Sequence, residues 1–214
     1  MATIFEDYLA AADAAMALLA SDEVAARWDE PSACAGFTVG GLAAHLGWQV
    51  QSARGRWSPA PGPDAPLTGL LEHYAGAAWV GADLDAPVNV TIKETEEERS
   101  KAGPAEVLRL TREARDEAAR QLAAMAPEDV VAMPWIEGRA VTAAVLLSTR
   151  LMELLVHGDD LAVSVDVPTA AVTDSAYERV NDLLVRLAAR RHGPVAVLRA
   201  LSRSERAPQT VSAF

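Results

Sequence analysis

Thr142-Ala143-Ala144-Val145-Leu146-Leu147-Ser148-Thr149-Arg150-Leu151-Met152-Glu153-Leu154-Leu155-Val156-His157-Gly158-Asp159-Asp160-Leu161 is the stretch on which the reading of this chain turns. It holds no proline and is rich in alanine and leucine, so it predicts a helix from Thr142 to about Leu161. Its residues are mostly apolar, which predicts burial over much of the helix surface. Glu153 and His157 stand four apart and therefore share one face. A carboxylate in such a setting needs a partner, because an unpaired buried charge is costly. Arg150, three residues back, is the simplest partner. A metal ion held jointly with His157 is the other.

A second imidazole lies far upstream, in Thr38-Val39-Gly40-Gly41-Leu42-Ala43-Ala44-His45-Leu46. Thr38 is a good N-cap for a helix running to about Arg54. On one face of that helix follow His45, Trp48, Gln49 and Ser52, so Trp48 and Gln49 are candidates for lining a pocket beside His45. Each histidine alone reads as an ordinary core residue. Together, His45, Glu153 and His157 offer two imidazoles and one carboxylate, enough to hold a divalent metal with coordination positions left open. That donor set suits zinc, nickel or iron. Asp160, three residues after His157, is placed to accept a hydrogen bond from the second ring nitrogen.

The rest of the chain predicts more helix. Ile4 to Leu19 is amphipathic, and Trp28 to Phe37 reads as a loop. Pro59, Pro61, Gly62, Pro63 and Pro66 mark another loop. Leu67 to Trp79 reads as a short helix and Pro87 to Ile92 as extended chain. The charge run Glu94 to Arg99 reads as a solvated face. Pro104 opens a helix to about Met125. A loop with Trp135 and Gly138 lies between Pro127 and Pro134 and the next helix. Asp174 is a cap for a helix to Arg191, and Val195 to Leu201 is a last short helix. His73 and His192 read as surface or cap residues, and Cys34 as a small buried loop residue. The expected architecture is all-α: four main helices within residues 1–165, and a short helical extension over 166–214.

Composition narrows the function. The net charge of −11 opposes binding to phosphate backbones or to an anionic membrane. No apolar run approaches the roughly 18 residues of a membrane span. The acidic start, with Glu6 and Asp7, lacks the cationic region of a secretory signal. Cys34 is the single cysteine, so no internal disulfide forms. The expected location is the cytoplasm. Apolar helix faces make a homodimer an expectation.

The block Trp28-Asp29-Glu30-Pro31-Ser32-Ala33-Cys34-Ala35-Gly36-Phe37 leading into Thr38–Leu46, followed by Arg150, Glu153, His157, Asp160 and Leu161 at their spacing, resembles the metal-binding domain of mycothiol-dependent maleylpyruvate isomerases, within the DinB-like superfamily. The resemblance covers roughly residues 4 to 165. It implies a DinB-like four-helix bundle and a metal, usually zinc, on His45, Glu153 and His157. It also implies mycothiol or a related small thiol as cosubstrate, with its sulfur at the metal. The implied activity is S-transfer to, or isomerisation of, an electrophilic small molecule. Arg150 would orient Glu153 or a substrate carboxylate. The alternatives are a metal-binding domain without catalysis, such as a sensor or carrier, and a helical scaffold in which Arg150, Glu153 and His157 form only a buried polar network.

Overall fold

The computed structural model describes residues 2–53, 65–132 and 139–214. Among them the protein is predominantly helical. The elements are α1 (Ile4–Leu19), α2 (Asp22–Ala26), α3 (Val39–Gln51), α4 (Leu70–Ala75), α5 (Pro87–Ser100), α6 (Pro104–Leu122), β1 (Val130–Ala132), β2 (Ala140–Thr142), α7 (Ala143–Ser164), α8 (Asp174–His192) and α9 (Pro194–Ser202). A single 3-10 turn follows at Ser204–Arg206. α1 packs on α7, α6 and α3, and α3 packs on α6 and α7; α5 lies on α3, and α8 lies against α7, α1 and α4.

Local signals set most of these boundaries. Thr3 and Glu6 close a capping box on α1. The hydroxyls of Thr38 and Thr142 accept from Gly41 N and Val145 N to start α3 and α7. Pro87, Pro104 and Pro194 each sit in a first turn, where the missing N–H costs nothing. The core is built from Tyr8, Leu42, Leu46, Leu147, Leu151 and Leu161, each fully buried. That places the central turns of α3 and α7 at the middle of the molecule.

α3 seats closely because it is glycine-rich. A Cβ on Gly40 would lie 2.6 Å from the Trp28 indole, and one on Gly41 2.2 Å from Glu97 Oε1. No other residue lets the α2 loop and α5 approach the first turn of α3 this closely. Glu97 then accepts from Thr38 N (2.8 Å) and Thr38 Oγ1 (2.9 Å), tying α5 to the start of the helix that carries His45.

Several expectations are corrected. Pro87 to Ile92 is the first half of α5 rather than extended chain. The helix penalty of its β-branched residues is only some tenths of a kcal/mol each. It is outweighed by the N1 proline and by Asn89, whose amide donates to Asp83 O at 2.8 Å. The helix after Leu67 spans only Leu70–Ala75. Thr173, not Asp174, caps α8. The antiparallel pair β1–β2, with Val131 opposite Val141, was not anticipated, because three-residue strands leave no readable alternation. The loop expected around Pro59, Pro61 and Pro63, and the positions Pro134, Trp135 and Gly138, lie outside the described residues. No described helix is long and apolar enough to cross a membrane.

The C-terminal helices are anchored to the N-terminal one. Asp7, fully buried in the first turn of α1, accepts from Thr173 Oγ1 (2.6 Å), Ser175 Oγ (2.6 Å) and Arg179 Nε (2.7 Å). The C-terminal Phe214 folds back onto Trp79 and Tyr74, with ring centroids 4.9 and 5.9 Å away.

Candidate metal centre

α3 and α7 cross so that His45 faces Glu153 and His157. Glu153 Oε2 lies 3.2 Å from His157 Nε2 and 3.8 Å from His45 Nε2. The two imidazole centroids are 4.7 Å apart, with planes at 78°. One ligand atom from each residue falls within 4.8 Å of the others. Four ligands at zinc–ligand bonds of ~2.0–2.1 Å have neighbours ~3.3 Å apart. The observed separations bracket that edge, so these three side chains fit a divalent metal with little movement. They keep 13–18 % of their side-chain surface exposed, so the centre has an open side.

Electrostatics bind the three together. Burial pushes the Glu153 carboxyl up. Its contacts with His157 and His45, with the charges of His157 and Arg150, outweigh that and hold it well below the usual carboxylate range. Burial pushes the His157 imidazole down, while hydrogen bonds to Asp160, Cys34 and Glu153 raise it well above its ordinary value. His157 Nδ1 lies 3.0 Å from Asp160 Oδ2, as its spacing suggested, which turns Nε2 toward Glu153.

The surrounding expected residues sit as follows. Gln49 is buried, and its amide nitrogen lies 3.1 Å from both His45 Nε2 and His45 O. Its amide oxygen accepts from Arg150 Nη1. Arg150 also donates from Nε to Thr149 Oγ1 at 3.2 Å. Trp48 lies at the edge of α3 with the Arg99 guanidinium 3.8 Å above its ring. Arg150 is itself buried and its charge reaches Tyr8, Tyr74 and His73. His73 is buried on α4 rather than at the surface; burial and the Arg150 charge lower its pKa against the pull of Glu153.

Two features escaped the sequence reading. Cys34, half-buried in the loop before α3, meets His157 and Asp160 as a second potential ligand group on the far side of that imidazole. Glu96, from the supposedly solvated charge run, is buried, with Oε1 3.5 Å from His45 Nδ1 and accepting from Arg99 Nη1. Its position after Pro87 was the usable signal: once Pro87 starts a helix, Ile92, Glu96 and Arg99 share a face.

The profile of the mycothiol maleylpyruvate isomerase N-terminal domain matches residues 9–162, which contain all three converging side chains. The chain belongs to this family. The matched span runs from within α1 to the last turn of α7, so the mycothiol maleylpyruvate isomerase N-terminal domain family encloses α3, α5 and the whole site. No curated protein and no solved structure matches the chain.

Proposed function

We propose that the protein is a metal-dependent thiol S-transferase or isomerase that uses mycothiol or a related low-molecular-weight thiol on a small electrophile. The convergence of His45 Nε2, Glu153 Oε2 and His157 Nε2 on one partly open point carries this reading. The metal is a divalent ion, zinc first, with nickel and iron compatible with the same donors. When bound, such an ion lowers the pKa of a thiol from ~8.5 and so supplies a nucleophilic sulfur at neutral pH.

The chain's own residues do the positioning. Glu153 supplies the anionic ligand, kept ionised by its two imidazole neighbours. Asp160 accepts from His157 Nδ1 and leaves Nε2 free to ligate. Arg150 fixes Gln49 and places a buried positive charge near Glu153. That charge favours an electrophile whose reacting end gains negative charge. Gln49 steadies His45, and the Trp48 ring carries Arg99, which pairs with the Glu96 carboxylate facing His45. Residues 1–165 then form a DinB-like four-helix bundle of α1, α3, α6 and α7, and residues 166–214 a helical extension docked on it. The net charge of −11 favours a small-molecule substrate over nucleic acid.

The test is elemental analysis of tag-free protein alongside His45→Ala and Glu153→Ala. We expect about one divalent metal per chain in the parent, lost in both variants, and thiol-dependent consumption of electrophiles by the metal-loaded parent alone. A parent that neither contains metal nor takes up zinc would overturn the proposal.

A further inference from the structure

We infer that Glu96 is the positioning residue for His45, the counterpart on α5 of what Asp160 is for His157. The inference rests on the metal reading of His45, Glu153 and His157. It starts from the tautomer of His45. Arg150 has only donors, so the Gln49 amide oxygen must face it and the Gln49 amide nitrogen must face His45. That N–H₂ donates toward His45 Nε2, which therefore carries the lone pair. The ring proton is left on Nδ1. An Nε2 lone pair and an Nδ1 proton are what ligation through Nε2 requires.

The buried proton on Nδ1 needs an acceptor. Glu96 Oε1, at 3.5 Å, is the carboxylate that faces it. His45 Nδ1 is buried without a hydrogen-bond partner, and so is Oε2, the second oxygen of the same Glu96 carboxylate, so both groups keep unused hydrogen-bonding capacity. Only 4 % of the Glu96 side chain is exposed, unlike its neighbours Glu94 and Glu98, which are exposed. Arg99 Nη1 donates to the same Oε1 and so fixes the carboxylate, and the Arg99 guanidinium lies over the Trp48 ring. The run Glu94–Arg99 therefore divides by role. Glu97 ties down the first turn of α3, and Glu96 orients the imidazole in its second.

The resulting centre has two histidines, each with Nε2 toward the shared carboxylate and Nδ1 toward a private one. Outer carboxylates of this kind orient a ligating imidazole and raise its basicity, and losing one typically weakens metal affinity by about 10–100-fold.

Cobalt(II) titration with a competing chelator, read from the visible d–d bands, tests this on the parent, Glu96→Gln and Glu96→Ala. We expect Glu96→Ala to weaken cobalt affinity by about 10–100-fold and to shift the d–d bands. Glu96→Gln keeps an acceptor oxygen without the charge, and we expect it to fall between the two. Circular dichroism establishes which variants fold, and if Glu96→Ala does not, the isosteric Glu96→Gln decides. Parent-like affinity and spectrum in the folded variants would overturn the inference while leaving the metal centre in place. A parent that binds no cobalt would instead overturn the proposed function, and this inference with it.

Discussion

Replacing Gly41 by alanine destabilises this protein, and removing Glu97 reverses the sign of the effect. A Cβ on Gly41 would stand 2.2 Å from Glu97 Oε1 and 2.6 Å from its Cδ. The carboxylate must retreat by roughly 1 Å or more to reach ordinary contact. It then gives up the bonds from Thr38 N (2.8 Å) and Thr38 Oγ1 (2.9 Å). Hydrogen bonds to a charged group contribute about 1.5–3 kcal/mol each, part of which water recovers at this half-buried position. Glycine-to-alanine in a helix returns about 0.5 kcal/mol. The net cost of Gly41→Ala is therefore about 2 kcal/mol, or a fall in Tm of roughly 4–8 °C for a chain of this size. Glu97→Ala costs about as much, since it breaks the same bonds. In the Glu97→Ala background, Gly41→Ala meets no carboxylate and stabilises by about 0.5 kcal/mol. Urea denaturation of the two single variants and the double variant measures the coupling. A Gly41→Ala cost that is equal in the two backgrounds would refute the close-approach reading of α3.

Asp7→Asn lowers stability by about 2 kcal/mol at neutral pH, because a buried acceptor of three hydrogen bonds loses its charge. Burial raises the Asp7 pKa, but the bonds from Ser175, Thr173 and Arg179 win and lower it, so its contribution is complete above the ordinary Asp value and fades as pH falls through the folded one. Urea midpoints of the parent and the variant should therefore converge below pH ~4, and a gap that stays constant to lower pH would count against this account. Zinc affinity of the parent falls on acidification, since both imidazoles must be neutral to ligate; a pH-independent affinity by chelator competition would point to other ligands. Phe214→Ala lowers stability by about 1–2 kcal/mol through lost stacking on Trp79 and Tyr74, and an unchanged melt would show that the C-terminal residue is not docked.

Most of what could be read from the sequence lay within single helices; the exception is the grouping of His45 with Glu153 and His157. Glu153, His157 and Asp160 sit within about two turns of α7, and their spacing alone dictates their shared face. Thr38 and Thr142 announced their helices because a cap is a local device. What could not be read was whatever else depends on a distance between elements. Glu96 looks like every other acid in an exposed run until α5 is laid on α3. Cys34 gains its neighbour His157 only because the loop before α3 runs past α7. His73 reads as a surface or cap residue in the sequence, and the packing of α4 on α7 and α8 buries it. The strand-like run after Pro87 misled because its residues are β-formers by weak intrinsic preference, and tertiary contact decides such cases.

The placement of charge explains why this site needs so many acids. Two imidazoles and a carboxylate taken alone would leave a bound divalent cation with an uncompensated positive charge in a partly buried place, which is costly. Asp160 and Glu96 place carboxylates just beyond the imidazoles, where they would stabilise the proposed cation without occupying a coordination position. Arg150 and Arg99 sit one layer further out. While no metal is bound, the Arg150 charge helps to keep Glu153 ionised, and Arg99 pairs with the Glu96 carboxylate. Without these two arginines the clustered acids would face one another across a metal-free centre with less compensation for their charge. On the metal reading proposed above, the alternation of cation, anion and imidazole from α5 through α3 to α7 would serve both states, and it would account for a buried arginine standing so close to side chains whose geometry suits a metal.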